Sequence, residues 1–126
     1  MGSGRTGTLG KRAERAALEF LVRNGLTPVS RNYQRRGGEI DLVMLDGDCL
    51  AFIEVRFRTS TRFSSPELTV DSHKQRKILR TAAMFIASQR RYARHTVRFD
   101  IVAITADEDA SIRWIQDAFR PENSTL

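Results

Sequence analysis

Asp41 in "GGEIDLV", and Glu54 with Arg56 in "FIEVRFR", are ionisable residues set among side chains that otherwise belong in a core. The second segment alternates. Leu50, Phe52, Glu54, Arg56 and Arg58 share one face of a strand, and Ala51, Ile53, Val55 and Phe57 share the other. Both faces begin apolar, which predicts a central strand covered on both sides and a Glu54 carboxylate at least partly removed from water. A charge buried without a partner costs on the order of several kcal/mol, so Glu54 must meet a cation, a metal or strong hydrogen-bond donors.

Hairpin register decides whether Asp41 joins it. "DGD" at 46–48 is a turn signal. With Gly47 and Asp48 as the loop, Asp46 faces Cys49 and Asp41 lies opposite Glu54, their Cβ atoms ~4.5 to 5.5 Å apart. With Asp46 and Gly47 as the loop, Glu39 faces Glu54 and Asp41 is the diagonal neighbour at ~7 to 8 Å. Both registers put the acids on one face; a three-residue loop without a bulge would separate them. Acids so placed repel, and a divalent cation relieves the repulsion. Mg²⁺ takes oxygen ligands at ~2.0 to 2.1 Å, commonly one or two carboxylates plus water, which leaves positions for a phosphate oxygen and a nucleophilic water. Arg56, on the Glu54 face, would steady charge building on a phosphate. The competing reading needs no metal: Glu39, Asp41, Glu54, Arg56 and Arg98 form an ion-pair network. Asp100 reads as the structural partner of a neighbouring arginine, Glu14 taken alone as a helix-surface acid, and Gln75 as a cap.

The elements that position these residues follow from periodicity. "GKRAERAALEFLVRNG" predicts a helix over about 11–24, with Ala13, Ala17, Phe20 and Leu21 on one stripe and Gly25 as its stop. "TPVSRNY" predicts a short extended piece, "RRGG" a flexible joint, and 39–45 with 49–58 a hairpin. "TSTRFSSPELT" predicts a surface loop. A second helix starts at Ser72, where Ser-His-Lys-Gln has a capping-box pattern, and turns Ile78, Leu79, Ala82, Phe85 and Ile86 inward. "TVRFDIVAIT" and "SIRWI" predict strands joined by an acidic turn at 107–109. A helix between two strands of one sheet makes them parallel neighbours, whereas the hairpin is antiparallel. The expected order is therefore α-β-β-β-α-β with one extra strand. Residues 1–9 read as a leader, 10–119 as one α/β domain and 120–126 as a fraying tail.

A chain of 126 residues with 40% hydrophobic and 29% charged side chains suits one globular core. No apolar run approaches a membrane span and the N-terminus lacks an apolar signal core, so the expected location is cytoplasmic. A lone cysteine, Cys49, excludes an internal disulfide and a cysteine-cluster zinc site. Net charge is +6, and its distribution matters more than its sum. Between Asp71 and Asp100 there is no acidic residue, while Lys74, Arg76, Lys77, Arg80, Arg90, Arg91, Arg94 and Arg98 fall in that interval. Arg31, Arg35 and Arg36 precede the hairpin, and Arg56, Arg58 and Arg62 close it or follow it. Cations bracketing a carboxylate site are what attraction of a phosphate backbone needs.

These residues make a pattern. Gly10 and Glu14 with Ala17, Asn32, "GGEIDLV", "FIEVRFR", Lys74 in "HKQRKI", "RFDIVAI" and the closing "DAF" resemble the YraN family of endonuclease-like bacterial proteins over about 10–119. That family is similar in fold to the PD-(D/E)XK nucleases, including archaeal Holliday-junction resolvases. The resemblance implies a restriction-endonuclease-like mixed β-sheet flanked by helices, with Asp41 and Glu54 as metal-binding acids and Glu14 as the auxiliary acid on the first helix. Mg²⁺ or Mn²⁺ is the implied cofactor, and DNA, branched or duplex, the implied partner. Arg56 stands where the nuclease motif usually has lysine. Arginine stays protonated and cannot act as a base at neutral pH, so Arg56 would stabilise charge and Lys74 would serve in the lysine's stead. Arg35, Arg36, Arg58, Arg62, Lys74, Arg76, Lys77 and Arg80 would track the nucleic-acid backbone, reading shape rather than base sequence. The rival expectation is a non-catalytic nucleic-acid-binding module on this scaffold, working with a DNA-processing partner. Symmetric cutting of two strands would require a homodimer.

Overall fold

A computed structural model describes residues 8–58, 70–105 and 111–121, except the side chains of residues 8 and 9. The expected loop with Arg62, the acidic turn at 107–109 and most of the tail lie outside the described residues. The elements are α1 (Thr8–Arg23), β1 (Thr27–Arg35), β2 (Gly38–Asp46), β3 (Cys49–Arg58), α2 (Ser72–Ser88), a 3₁₀ turn (Arg90–Tyr92), β4 (Thr96–Thr105) and β5 (Ile112–Ile115). They build one mixed sheet, ordered β1-β2-β3-β4-β5. β3 and β4 are parallel and every other neighbouring pair is antiparallel, as a helical crossover between β3 and β4 requires. The observed order is thus the expected α-β-β-β-α-β plus a short fifth strand.

Each helix covers one face. Ala13, Ala17 and Leu21 of α1 pack on Leu42, Met44, Ala51, Ile53 and Val55, and Ile78, Ala82 and Phe85 of α2 pack on Val43, Leu50, Phe52, Phe99 and Ile101. The two-sided alternation read for β3 is what places it centrally. α1 starts at Thr8, three residues before the expected Lys11. It ends in a Schellman motif: Gly25, at φ 96°, donates to the Val22 carbonyl, and Leu26 donates to Leu21.

The start of α2 differs from the capping box. Asp71, not Ser72, is the N-cap, its carboxylate accepting from the Lys74 amide at 2.9 Å. Gln75 turns back to the Val70 carbonyl instead of closing the box. That Lys74 hydrogen bond holds the Asp71 carboxyl below the usual carboxylate range, against a smaller opposing effect of burial. The "RRGG" joint is also more specific than a flexible link. A Cβ on Gly38 would collide with the Thr81 hydroxyl of α2, so the glycine marks close packing of strand and helix.

Asp100 is structural, as expected. Its buried carboxylate accepts from Arg98 Nε at 2.9 Å, Trp114 Nε1 at 3.0 Å and the Asp117 amide at 2.9 Å, which ties β4 to β5 and the segment after it. Burial opposes the Arg98 charge, but hydrogen bonds to Asp100 and Asp46 outweigh it and raise the guanidinium's pKa.

Candidate functional site

The loop of the β2–β3 hairpin is Gly47-Asp48, since Asp46 pairs with Cys49. Continuing that register would set Asp41 opposite Glu54. The paired ladder stops one residue short, at Leu42 and Ile53, while β3 runs on to Arg58 beside β4 and β2 stays with β1. The two central strands therefore part at Asp41 and Glu54, and the opening is a fork. Inside it the Asp41 carboxylate accepts the Val55 amide at 2.7 Å, a side chain standing in for a backbone ladder bond.

Alternation breaks at the same point. Ile40 and Leu42 would share a face on a regular strand, yet Ile40 packs in the cluster under α2 and Leu42 in the cluster under α1. Across the ladder, between the Arg31–Leu42 and Tyr33–Ile40 pairs, Asn32 holds φ 52°, a left-handed conformation that asparagine tolerates better than most residues. The outcome is a regrouping of acids. Carboxylate oxygens of Glu14, Glu39 and Asp41 lie within 4.8 Å of one another. Asp41 is fully buried and Glu14 is 4% exposed. Glu14 is thus not the helix-surface acid that its position alone implied, and its Oε2 is buried with no hydrogen-bond partner among the described residues.

Glu54 meets bases. It is 4% exposed, and its Oε2 meets Lys74 Nζ of α2 at 2.5 Å and Arg56 Nε at 3.9 Å. The β2–β3 ladder does not carry the expected register as far as Asp41 and Glu54; Asp41 groups with Glu39 and with Glu14 of α1, and Glu54 pairs with Lys74 of α2. Glu14 links the two groups, since a cavity of about 520 Å³ beside the fork is lined by Glu14, Glu54, Arg56, Arg58, Asp71 and Lys74 among others. Glu39 is the site residue that sequence reasoning left in the salt-bridge strip. Its position two residues before Asp41 was the available signal.

The basic residues divide by place. Arg58 lines the cavity. Arg76, Lys77 and Arg80 are exposed on α2, and their spacing puts them on its outer face, leading away from Lys74. Arg35 and Arg36 are exposed at the β1–β2 turn, where the Arg35 guanidinium lies 4.4 Å from the Tyr33 ring centroid. No helix among the described residues is long and apolar enough to cross a membrane.

Comparison with known proteins points to one family. The model described as "Uncharacterised protein family UPF0102" matches residues 13–104, a span that holds Glu14, Glu39, Asp41, Glu54, Arg56 and Lys74. A UPF0102 protein of Stutzerimonas stutzeri is 45% identical over 111 residues, covering 87% of this chain and 92% of the relative. One from Saccharophagus degradans is 46% identical over 110 residues, covering 87% and 91%. A third, from Ectopseudomonas mendocina, is 42% identical over 111 residues, covering 88% and 93%.

Proposed function

The chain belongs to the UPF0102 (YraN) family, and from that premise together with the forked carboxylate site we propose a metal-dependent endonuclease that hydrolyses phosphodiester bonds in branched or duplex DNA. The observation that carries this reading is the convergence of Glu14, Glu39 and Asp41 within 4.8 Å, with Glu14 Oε2 buried and lacking a hydrogen-bond partner among the described residues. Three carboxylates so close repel one another, and an all-oxygen donor set suits Mg²⁺ or Mn²⁺. The residues present fit such an ion: Glu14, Glu39 and Asp41 would hold it, with Glu54 lining the same cavity as Glu14.

When bound there, the cation supplies Lewis acidity toward phosphoryl and water oxygens. The chain's own residues do the rest. Arg56, Arg58 and Lys74 face the cavity and would offset negative charge gathering on the phosphate in the transition state. Arg56 cannot accept a proton at neutral pH, so its part is electrostatic. Lys74, already against Glu54, supplies the amine that the usual motif carries on the strand. The exposed cations of α2, with Arg35 and Arg36, would hold the phosphate backbone without reading bases.

A second reading keeps the scaffold and the DNA but removes turnover. The direct Lys74–Glu54 ion pair favours it, because it neutralises one acid of the cavity without a metal. The two readings separate in one assay. Four-way junction, duplex and single-stranded DNA are incubated with Mg²⁺ or Mn²⁺. The endonuclease reading expects cleavage of at least one substrate and a loss of about a hundredfold or more in Asp41→Asn. Cleavage unchanged by that substitution contradicts the site, and salt-sensitive binding without cleavage of any substrate establishes the binding module.

A further inference from the structure

A second basic site lies at the other end of the sheet. β3 enters the sheet at Cys49 and reaches the fork at Glu54, and α2 runs back from Lys74 beside the fork toward the 3₁₀ turn Arg90–Tyr92. At that distal end a cavity of about 610 Å³ is lined by Asp48, Arg90, Arg91, Arg94, His95 and Thr96, with Ala93. Arg90, Arg91 and Arg94 are exposed, and none of the three forms an ion pair among the described residues. Tyr92 organises them. It is buried against Phe85, the Arg91 guanidinium sits 5.1 Å from its ring centroid, and the His95 ring packs edge-on to it at 5.5 Å. Three guanidiniums around one concavity, with a single acid on its wall, form a pocket for an anion carrying several acceptor oxygens, and guanidinium pairs well with phosphate.

We propose that this pocket is a second phosphate-binding site, which grips the backbone of the same DNA duplex that the fork engages; its ligand rests on the nucleic-acid reading above. Geometry supports a common ligand. At about 1.5 Å per helical residue, the end of α2 at Ser88, two residues before Arg90, lies roughly 21 Å from Lys74. At ~3.4 Å per nucleotide along each strand that is about six base pairs, inside one helical turn. The outer face of α2 links the two points, with Arg76, Lys77 and Arg80 exposed on its first turns.

The test uses the full chain with a 20-base-pair duplex in a metal chelator, so that binding is read without turnover, by fluorescence anisotropy over a range of salt. The variant is Arg90→Ala/Arg94→Ala, which spares the Arg91–Tyr92 stack. It should bind about tenfold more weakly at moderate salt, and the slope of log K against log salt should become shallower by about two, near 0.9 for each phosphate left without its cation. Arg90→Lys/Arg94→Lys should restore most of the slope. Arg15→Ala/Arg23→Ala, which removes two exposed charges on the opposite face of the sheet, should leave it nearly unchanged. Equal slopes for wild type and the distal variant overturn the proposal, as does an equal reduction in the α1 control, which would make the effect one of net charge. Failure of the endonuclease reading shows separately, as absent cleavage with binding intact. Absence of duplex binding by the wild type sinks the distal site together with the nucleic-acid reading.

Discussion

The Asp41 carboxylate accepts the Val55 amide proton at 2.7 Å, at the point where the β2–β3 ladder has ended. One acid thus closes the fork structurally and belongs to the carboxylate group inside it. The two roles respond differently to substitution. Asp41→Asn keeps a carbonyl oxygen for Val55 and should unfold near the wild-type denaturant midpoint, whereas Asp41→Ala leaves a buried N–H without its acceptor and should cost about 1 to 3 kcal/mol. Equal midpoints for wild type and the alanine variant would show that the bond does not hold the fork.

Lys74 stands 2.5 Å from Glu54, so any cation entering the cavity meets a lysine that already neutralises one acid. Lys74→Met should therefore tighten Mn²⁺ binding, by on the order of fivefold for an interaction of ~1 kcal/mol, while reducing cleavage about a hundredfold. Calorimetry and a cleavage assay on the same preparation check both signs. Parallel loss of affinity and rate would mean that the ion pair supports the metal site instead of competing with it.

Asp71 caps α2 through the Lys74 amide, and that bond lowers its pKa in the folded state. A carboxylate with a depressed folded pKa contributes stability that is present above its unfolded pKa, about 3.8 to 3.9, and is lost as pH falls through the lower folded value. Asp71→Ala should melt below wild type at pH 7, and the gap should close progressively below pH ~4. Thermal melts by circular dichroism across that range test it; a gap independent of pH would assign the effect to something other than the charged cap.

Gly38 and Thr81 should be energetically coupled, because a Cβ at the first collides with the hydroxyl of the second. Gly38→Ala should cost about 1 to 3 kcal/mol by overpacking. In Gly38→Ala/Thr81→Ala the colliding atom is gone, so the double variant should be more stable than the sum of the single losses. Strict additivity in the double-mutant cycle would place the strain elsewhere.

Much of this arrangement is legible in the chain. The two-sided alternation of β3 places it centrally, "DGD" sets a hairpin with a two-residue loop in one of two registers, and the α2 crossover fixes β3 beside β4 in parallel. What stays hidden depends on pairs of elements. Glu14 is buried because α1 lies on the sheet at the fork, which the helix's own periodicity does not reveal. The alternation of β2 breaks between Ile40 and Leu42, where β3 departs from it and opposite Asn32 at φ 52°, and a period of two cannot register such a break. The Asp71 cap is hidden by a Ser-x-x-Gln pattern that satisfies the same rule one residue later. Resemblance names Glu14, Asp41 and Glu54 together; the strand fork supplies the physical reason two of them meet Glu39 while the third meets Lys74.

Isothermal titration of Mn²⁺ into wild type and Glu14→Gln tests the central claim most directly, since Glu14 brings to the acidic group a buried oxygen with no hydrogen-bond partner among the described residues. Saturable binding near one ion per chain, weakened at least tenfold in the variant while its melting temperature stays within a few degrees of wild type, is the predicted result. Binding that is absent from the wild type, or equally strong in Glu14→Gln, contradicts it.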